Sequence, residues 1–410
     1  MTSGRPLCLG CAAPLTRTFV DLGVMPLANS FVAADRSDPE PMYPLHARVC
    51  DRCLLAQVEA VVPPSAIFSD YAYFSSYSDS WLEHCRAYAK MAIERFSLSS
   101  ASKVVEIASN DGYLLANFVA AGIPCLGVEP AANVAAAARA KGVPTEVAFF
   151  GTDTARRLVV AGHRADLLVA KNVLAHVPDI NDFVAGIKIL LRAGGVFTVE
   201  FPHLLNLIRG VQFDTIYHEH FTYLSLLSVA GIFWRHGLRI FDVEEIPTHG
   251  GSLRVFVCHG ESERTELPGA AVVRDKEQQS QLDRPAGYEG FSAHVEAARQ
   301  GLIAFLDATR AEGRKVAAYG AAAKGNTLLN YCGIGRERIA FVADRSTAKQ
   351  GRLLPGSRIP VRAPGAIFTE KPDYVLILPW NLRDEISHQL AAIRAWGGKF
   401  VTAIPDVKVS

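Results

Sequence analysis

The stretch VVEIASNDGYL, Val104 to Leu114, decides how the middle of this 410-residue chain is read. Lys103 to Ile107 is a short β-type run. Ala108 to Gly112 is a turn of small and polar residues, and a helix opens at about Tyr113. Strand, tight turn and helix in that order is the unit of a doubly wound sheet, which binds ligands beyond the carboxyl ends of its strands. Glu106 and Gly112 stand where a glycine-rich nucleotide-binding turn has an acidic residue and its last glycine, while Ala108 and Asn110 replace the earlier two glycines. The motif G-x-G-x-x-G is therefore absent, although small residues still permit close backbone approach.

Further short runs follow: CLGV (125–128), DLLVA (166–170) and VFTVE (196–200). Each is nearly continuously apolar, the pattern of strands covered on both faces, and the alternation with helical segments predicts a parallel α/β sheet. GVEP places Glu129 at the end of the second strand, about 20 residues past the turn, where a carboxylate accepts hydrogen bonds from both ribose hydroxyls. Turn and carboxylate together point to a nucleoside. Asn172 and His176, in KNVLAHVPDI, fall at the same carboxyl edge. Upstream, Trp81, Cys85, Tyr88, Ala92 and Phe96 recur at helical spacing and predict an amphipathic helix leading into this sheet.

The composition is that of a globular protein: 50% hydrophobic, 20% charged, with a net charge of +1. There is no basic block to grip a duplex or an anionic membrane, so neither nucleic acid nor a membrane is an expected partner. MTSGRPLCLGC has no apolar signal region, and charges interrupt every apolar run well short of the roughly 18 residues that span a bilayer, so a cytoplasmic location is expected. Cys8-x-x-Cys11 and Cys50-x-x-Cys53 have the spacing of two metal-binding knuckles. Four thiolates leave no open coordination position, so the zinc expected there is structural. Cys85, Cys125, Cys258 and Cys332 stand singly in apolar surroundings and read as small buried hydrophobes.

From Gly260 to Gly290 the chain turns polar with little period, and the link between domains is placed there. Phe291, Val295, Ala298, Leu302 and Phe305 restart a helix. KVAAYGAAAKGNTLLNY (315–331) then reads as strand, turn and helix N-terminus, a setting for a phosphate with Lys324 as a point charge, although G-x-x-x-x-G-K-[ST] is not matched. FVADR and YVLILPWN end two more strands at that edge and bring Asp344, Trp380 and Asn381. Between the two α/β segments, YHEHFTYLS (217–225) clusters Tyr217, His218, Glu219 and His220. A zinc-protease H-E-x-x-H fails there because the last position is Thr222.

The order CxxC…CxxC, YAYFSSYS (71–78), EIASNDGYL, GVEP, NVLAHVPD, EFPH, YHEHF, HGGSLR and YGAAAKGNT resembles the sugar C-methyltransferases of deoxysugar biosynthesis over essentially the whole chain. The resemblance implies an α/β architecture of three parts: a zinc-binding module (1–72), a doubly wound class I Rossmann-like methyltransferase domain (73–262) and a C-terminal Rossmann-like α/β domain (263–410). It implies S-adenosylmethionine held by Glu106, Asn110 and Gly112, with Glu129 on the ribose and Asn172 near the methionine end. A nucleotide-linked keto-sugar, of the dTDP type, is then gripped by Tyr73, Ser75, Ser76, Lys324, Asn326, Asp344, Trp380 and Asn381. Methylating carbon beside a ketone requires removing an α-proton and holding an enolate. A histidine suits the base, and the family pattern gives that role to His220, oriented by Glu219 or a neighbour. His176 and Tyr217 become candidate donors to the enolate oxygen, and Tyr71 matches a family tyrosine at the site. A monomer without an obligate protein partner is expected. Rival readings are an O- or N-methyltransferase of the same fold, a nicotinamide oxidoreductase, disfavoured by the missing glycines, and a zinc-ribbon binding protein, which would want a basic face.

Overall fold

The computed structural model describes residues 6–63 and 79–410. Tyr71, Tyr73, Ser75 and Ser76, expected at the site, lie outside the described residues. The N-terminal region forms β1 (Arg17–Met25), β2 (Val32–Ala33), β3 (Tyr43–Val49) and β4 (Ala56–Val58), of which β1, β3 and β4 pair antiparallel.

The middle of the chain supplies β5 (Val104–Ile107), β6 (Cys125–Val128), β7 (Thr145–Glu146), β8 (Ala165–Lys171) and β9 (Leu191–Pro202), then β10 (Thr222–Tyr223), β11 (Leu238–Ile246) and β12 (Ser252–His259). All but β10 join a seven-stranded sheet of order β7-β6-β5-β8-β9-β12-β11, parallel as far as β9 and antiparallel at β12 and β11. Every residue of β5 and β6 is buried, as runs such as VVEI and CLGV require when helices cover both faces. One face packs on the helix Asp79–Arg95, which contributes Cys85, Tyr88 and Ala92; the other packs on Ile180–Leu190 and Leu226–Arg235. Strand order reverses between β5 and β8, and the crevice above that reversal is the ligand position of such sheets.

The C-terminal part supplies β13 (Val316–Tyr319), β14 (Val342–Ala343), β15 (Arg352–Leu353), β16 (Val361–Arg362), β17 (Tyr374–Ile377), β18 (Lys399–Thr402) and β19 (Lys408–Val409), and all but β15 form a six-stranded sheet of order β16-β14-β13-β17-β18-β19. The odd one out, β15, pairs with β2.

Contacts run across the expected divisions. Thr222 and Tyr223 of β10 pair with β4, so the N-terminal sheet takes its fourth strand from the middle of the chain. Phe19 stacks on Phe291 at 4.4 Å, within one core that also holds Leu45, Leu302, Val316 and Leu328. The polar stretch expected to be a link contains a helix, Pro268–Gln279. Its apolar stripe is thin, and one buried position is a carboxylate: Glu277 accepts from the backbone N–H groups of Leu226 and Leu227 and pairs with His203 at 2.7 Å. Among the described residues no helix is long and apolar enough to cross a membrane.

Candidate active site

The two cysteine pairs adopt the same local structure. In each, the residue after the second cysteine turns left-handed (Ala12 φ 57, Leu54 φ 59) and returns its N–H to the carbonyl of the first, Cys8 or Cys50. The four sulfurs lie within 4.8 Å of one another, with Cys8 to Cys53 and Cys11 to Cys50 both 3.5 Å apart. Zinc–sulfur bonds of about 2.3 Å give a tetrahedron with edges of about 3.8 Å, so the four thiolates fit that ion. Buried Gln57 donates to the Cys8 sulfur at 3.2 Å, support that stabilises a thiolate ligand. Asn181 and Arg235 donate to carbonyls of the first knuckle and bolt the centre to the middle domain.

The turn after β5 does with ordinary residues what glycines do elsewhere. Ala108 (φ 54), Asn110 (φ 48) and Gly112 (φ 77) are all left-handed, so two of the three positions hold side chains in a conformation that costs them roughly 1–2 kcal/mol each. A Cβ on Gly112 would lie 3.0 Å from Val143. Glu129 locks the turn: one oxygen accepts from the Asn110 N–H at 3.0 Å, the other from the Ala131 N–H at 2.9 Å. Burial raises its carboxyl above the ordinary range. Each oxygen keeps a lone pair for a hydroxyl. Glu106 is fully buried, its pKa raised well above normal by that burial although the Tyr113 side chain hydrogen-bonds to it; Ser109 Oγ and Asn172 Oδ1 have no hydrogen-bond partner among the described residues. Unpaired polar atoms around the carboxyl ends of β5 and β8 are what a polar, nucleoside-bearing ligand would satisfy. Asn172 is also left-handed (φ 53) and gives its amide N–H groups to the Glu200 carbonyl and to His249 Nε2. Beneath it, the Glu200 carboxylate is held ionised by Lys171, Arg254 and His84 despite burial.

The segment 215–221 runs beside the end of β8, joined by the Phe221 N–H to the Ala175 carbonyl at 2.7 Å. His220 Nδ1 lies 2.9 Å from the Thr215 carbonyl, which only accepts, so Nδ1 carries the proton and Nε2 is the basic nitrogen. Tyr217 donates its hydroxyl to that Nε2 at 2.7 Å. His176 packs edge-on at 4.6 Å and gives its Nδ1 proton to the Glu219 carbonyl, leaving Nε2 an acceptor rather than the donor expected from the sequence. Burial pushes His220 well below the usual imidazole range, His176 adding to the effect, and takes His176 down to about 4, so both rings are neutral near pH 7. The orienting partner of His220 is thus the Thr215 carbonyl; the Glu219 side chain turns instead to Asn29, whose Nδ2 donates to it at 2.7 Å. Burial raises Glu219 to about 7. His218 points to the Pro44 carbonyl of β3.

The C-terminal edge packs against the residues that flank this segment. Lys324 Nζ donates to Asn381 Oδ1 at 2.7 Å and lies 4.6 Å from the Trp380 ring. Trp380 Nε1 donates to Asp214, which burial raises to about 6, and Gly250 of HGGSLR leaves room for the Trp380 ring, since a Cβ there would come within 2.4 Å. Asp344 repeats the Glu129 device, accepting from the Ala321 N–H of the turn after β13 at 2.7 Å. Asn326 is buried and donates to the Ala28 carbonyl. Sequence reading missed Asn29, Glu200, Asp214, Thr215 and His249. Glu200 and His249 lie in EFPH and HGGSLR, so order of motifs was the only signal for them.

Residues 8–68 match a zinc binding domain family, 81–243 a methyltransferase domain, and 247–405 the C-methyltransferase C-terminal domain. The C-methyltransferase NovU of Streptomyces niveus is 36% identical over 408 residues, covering 99% of this chain and 97% of NovU. This chain belongs to the C-methyltransferase family. It is an S-adenosylmethionine-dependent C-methyltransferase with a structural zinc on Cys8, Cys11, Cys50 and Cys53. More distant likenesses are to a solved S-adenosylmethionine-dependent methyltransferase of Clostridium acetobutylicum (TM-score 0.37, 12% identity, 45% of this chain and 94% of that one) and to the magnesium protoporphyrin IX methyltransferase of Synechocystis PCC 6803 (TM-score 0.35, 13% identity, 43% and 82%).

Proposed function

We propose that the enzyme methylates the carbon beside the ketone of a nucleotide-linked keto-deoxysugar through an enolate, with His220 as the base. The carrying observation is the Tyr217–His220 pair: a neutral imidazole, its proton fixed on Nδ1 by Thr215, and a phenol resting on the basic Nε2. When Tyr217 turns its O–H from Nε2 to the substrate carbonyl oxygen, one movement frees the base and supplies the donor that stabilises the developing enolate. His176, neutral and edge-on, keeps the pocket free of competing charge. S-adenosylmethionine, when bound, supplies the electrophilic methyl; Glu129 would hold its ribose, and Glu106, Asn110, Gly112 and Asn172 would line its remaining length. Lys324, Trp380, Asn381 and Asp344, on the C-terminal edge, would hold the nucleotide diphosphate, with Lys324 as its charge partner. Tyr71 belongs to the same reading as a residue of the catalytic group, and Tyr73, Ser75 and Ser76 as substrate contacts. Asn326 enters it through the loop it grips rather than by direct contact.

The test is a panel of nucleotide-linked keto-sugars incubated in deuterated buffer, first with a non-transferring cofactor analogue, then with S-adenosylmethionine. Wild type should wash deuterium into the α-carbon and then add one methyl that survives acid hydrolysis as a C-branch. His220→Asn should lose exchange and transfer together, by roughly 100-fold or more. Methyl found on oxygen or nitrogen would reject the carbon-acid mechanism, and wild-type exchange in His220→Asn would move the base elsewhere.

A further inference from the structure

Asn29 belongs to the zinc-bearing part of the chain, on the loop between β1 and β2, and its side chain is exposed. Its amide nevertheless reaches Glu219, 190 positions away, at 2.7 Å. Glu219 is 3% exposed, and this amide is the side-chain hydrogen bond that favours its ionised form. Among the described residues no charged side chain offsets its burial. The titratable groups around it are Tyr217, His218 and His220 on its own segment and His176 from the loop after β8; burial lowers all three histidines. Lys324, on the helix Ala323–Tyr331, acts on His220 and on Asp214 and not on Glu219. The loop that carries Asn29 is itself gripped from that helix: Asn326, two residues past Lys324 and 1% exposed, donates from Nδ2 to the Ala28 carbonyl at 2.5 Å.

We propose that Asn29 is a positioning residue of the reaction, fixing the Glu219 carboxylate at the rim of the cleft while Asn326 of the C-terminal domain fixes Asn29. The inference rests on reading segment 217–220 as the catalytic centre. It gives the zinc-bearing region a part in the chemistry without contact to substrate, and it connects the helix that presents Lys324 to the catalytic segment through one loop. A side chain that donates to a carboxylate favours the charged form, so its loss leaves Glu219 protonated to higher pH.

Asn29→Ala, at an exposed position, should retain the fold, the zinc and the affinity for S-adenosylmethionine. The direct readout is carboxyl-carbon NMR on the full zinc-loaded chain with labelled glutamate, Glu219 being assigned by the signal lost in Glu219→Gln. Its titration midpoint should rise by about one pH unit in Asn29→Ala, the order expected for one hydrogen bond to a charged acceptor. Asn29→Ser, which retains a shorter donor, should fall between the two. Indistinguishable midpoints in wild type and Asn29→Ala overturn the proposal. Because that titration needs no substrate, it stands or falls separately from the reaction assigned above. With a substrate in hand, the acid limb of kcat should move up in step while the KM for S-adenosylmethionine stays put; a change in that KM with the limb unmoved would equally overturn it.

Discussion

Replacing Glu219 by glutamine should make the protein more stable, in a way that depends on pH. Unfolded, the carboxyl releases its proton near 4.5; folded, burial holds it until about 7. Below the lower value both states are protonated and nothing is lost. Between the two values the folded state keeps a proton that the unfolded chain has given up, so stability falls as pH rises, and above 7 the whole cost of a buried carboxylate is carried. A difference of about 2.5 units corresponds to about 3 kcal/mol. Glutamine removes that cost, still accepts from Asn29, and adds about 1 kcal/mol for burying a second polar group. The net gain is about 2 kcal/mol at pH 8, and in a chain of this length about 1 kcal/mol moves the melting midpoint by roughly 1 °C. Calorimetric scans of the zinc-loaded protein should therefore show Glu219→Gln melting roughly 2 °C above wild type at pH 8, with the gain gone near pH 5. An equal gain at both pH values, or a variant less stable than wild type at pH 8, would refute the reasoning.

The zinc centre predicts one zinc per folded chain by elemental analysis and its loss in Cys50→Ser; zinc content unchanged in that variant would exclude the four-thiolate site. Glu129→Ala removes a carboxylate poised for two hydroxyls, worth about 3 kcal/mol together, so calorimetry should find S-adenosylmethionine bound about 100-fold more weakly with nucleotide-sugar affinity kept. Equal cofactor affinity in both proteins would take Glu129 off the ribose.

What could be read in advance followed local rules. VVEI, CLGV and their partners announce buried strands by composition, and two CxxC pairs announce a metal by spacing. The turn at 108–112 was legible as a turn, but not as three left-handed residues, because Ala108 has no intrinsic preference for that conformation; Glu129, by binding the Asn110 N–H, holds it there. The partners of the segment 214–220 were illegible for a different reason. Thr215 acts through its carbonyl, which no side-chain identity reveals, and Asn29 and Asp214 meet their partners only after distant strands have paired. The helix Pro268–Gln279 was hidden because Glu277, the residue that anchors it, looks like a surface residue until its three partners are in place.

The pairing of β4 with β10 matters to how this chain is made. During synthesis β4 is complete about 160 residues before Thr222 and Tyr223 exist, and at 5–20 residues per second its outer edge stays unpaired for roughly 10–30 seconds. Throughout that interval all four thiols are already available, so the metal can hold the nascent hairpins in register while the strand that finishes their sheet is still being translated. The same dependence makes the first 72 residues a poor cassette: transplanted alone into a relative, they would arrive with a bare strand edge and without the Phe291 ring that covers Phe19.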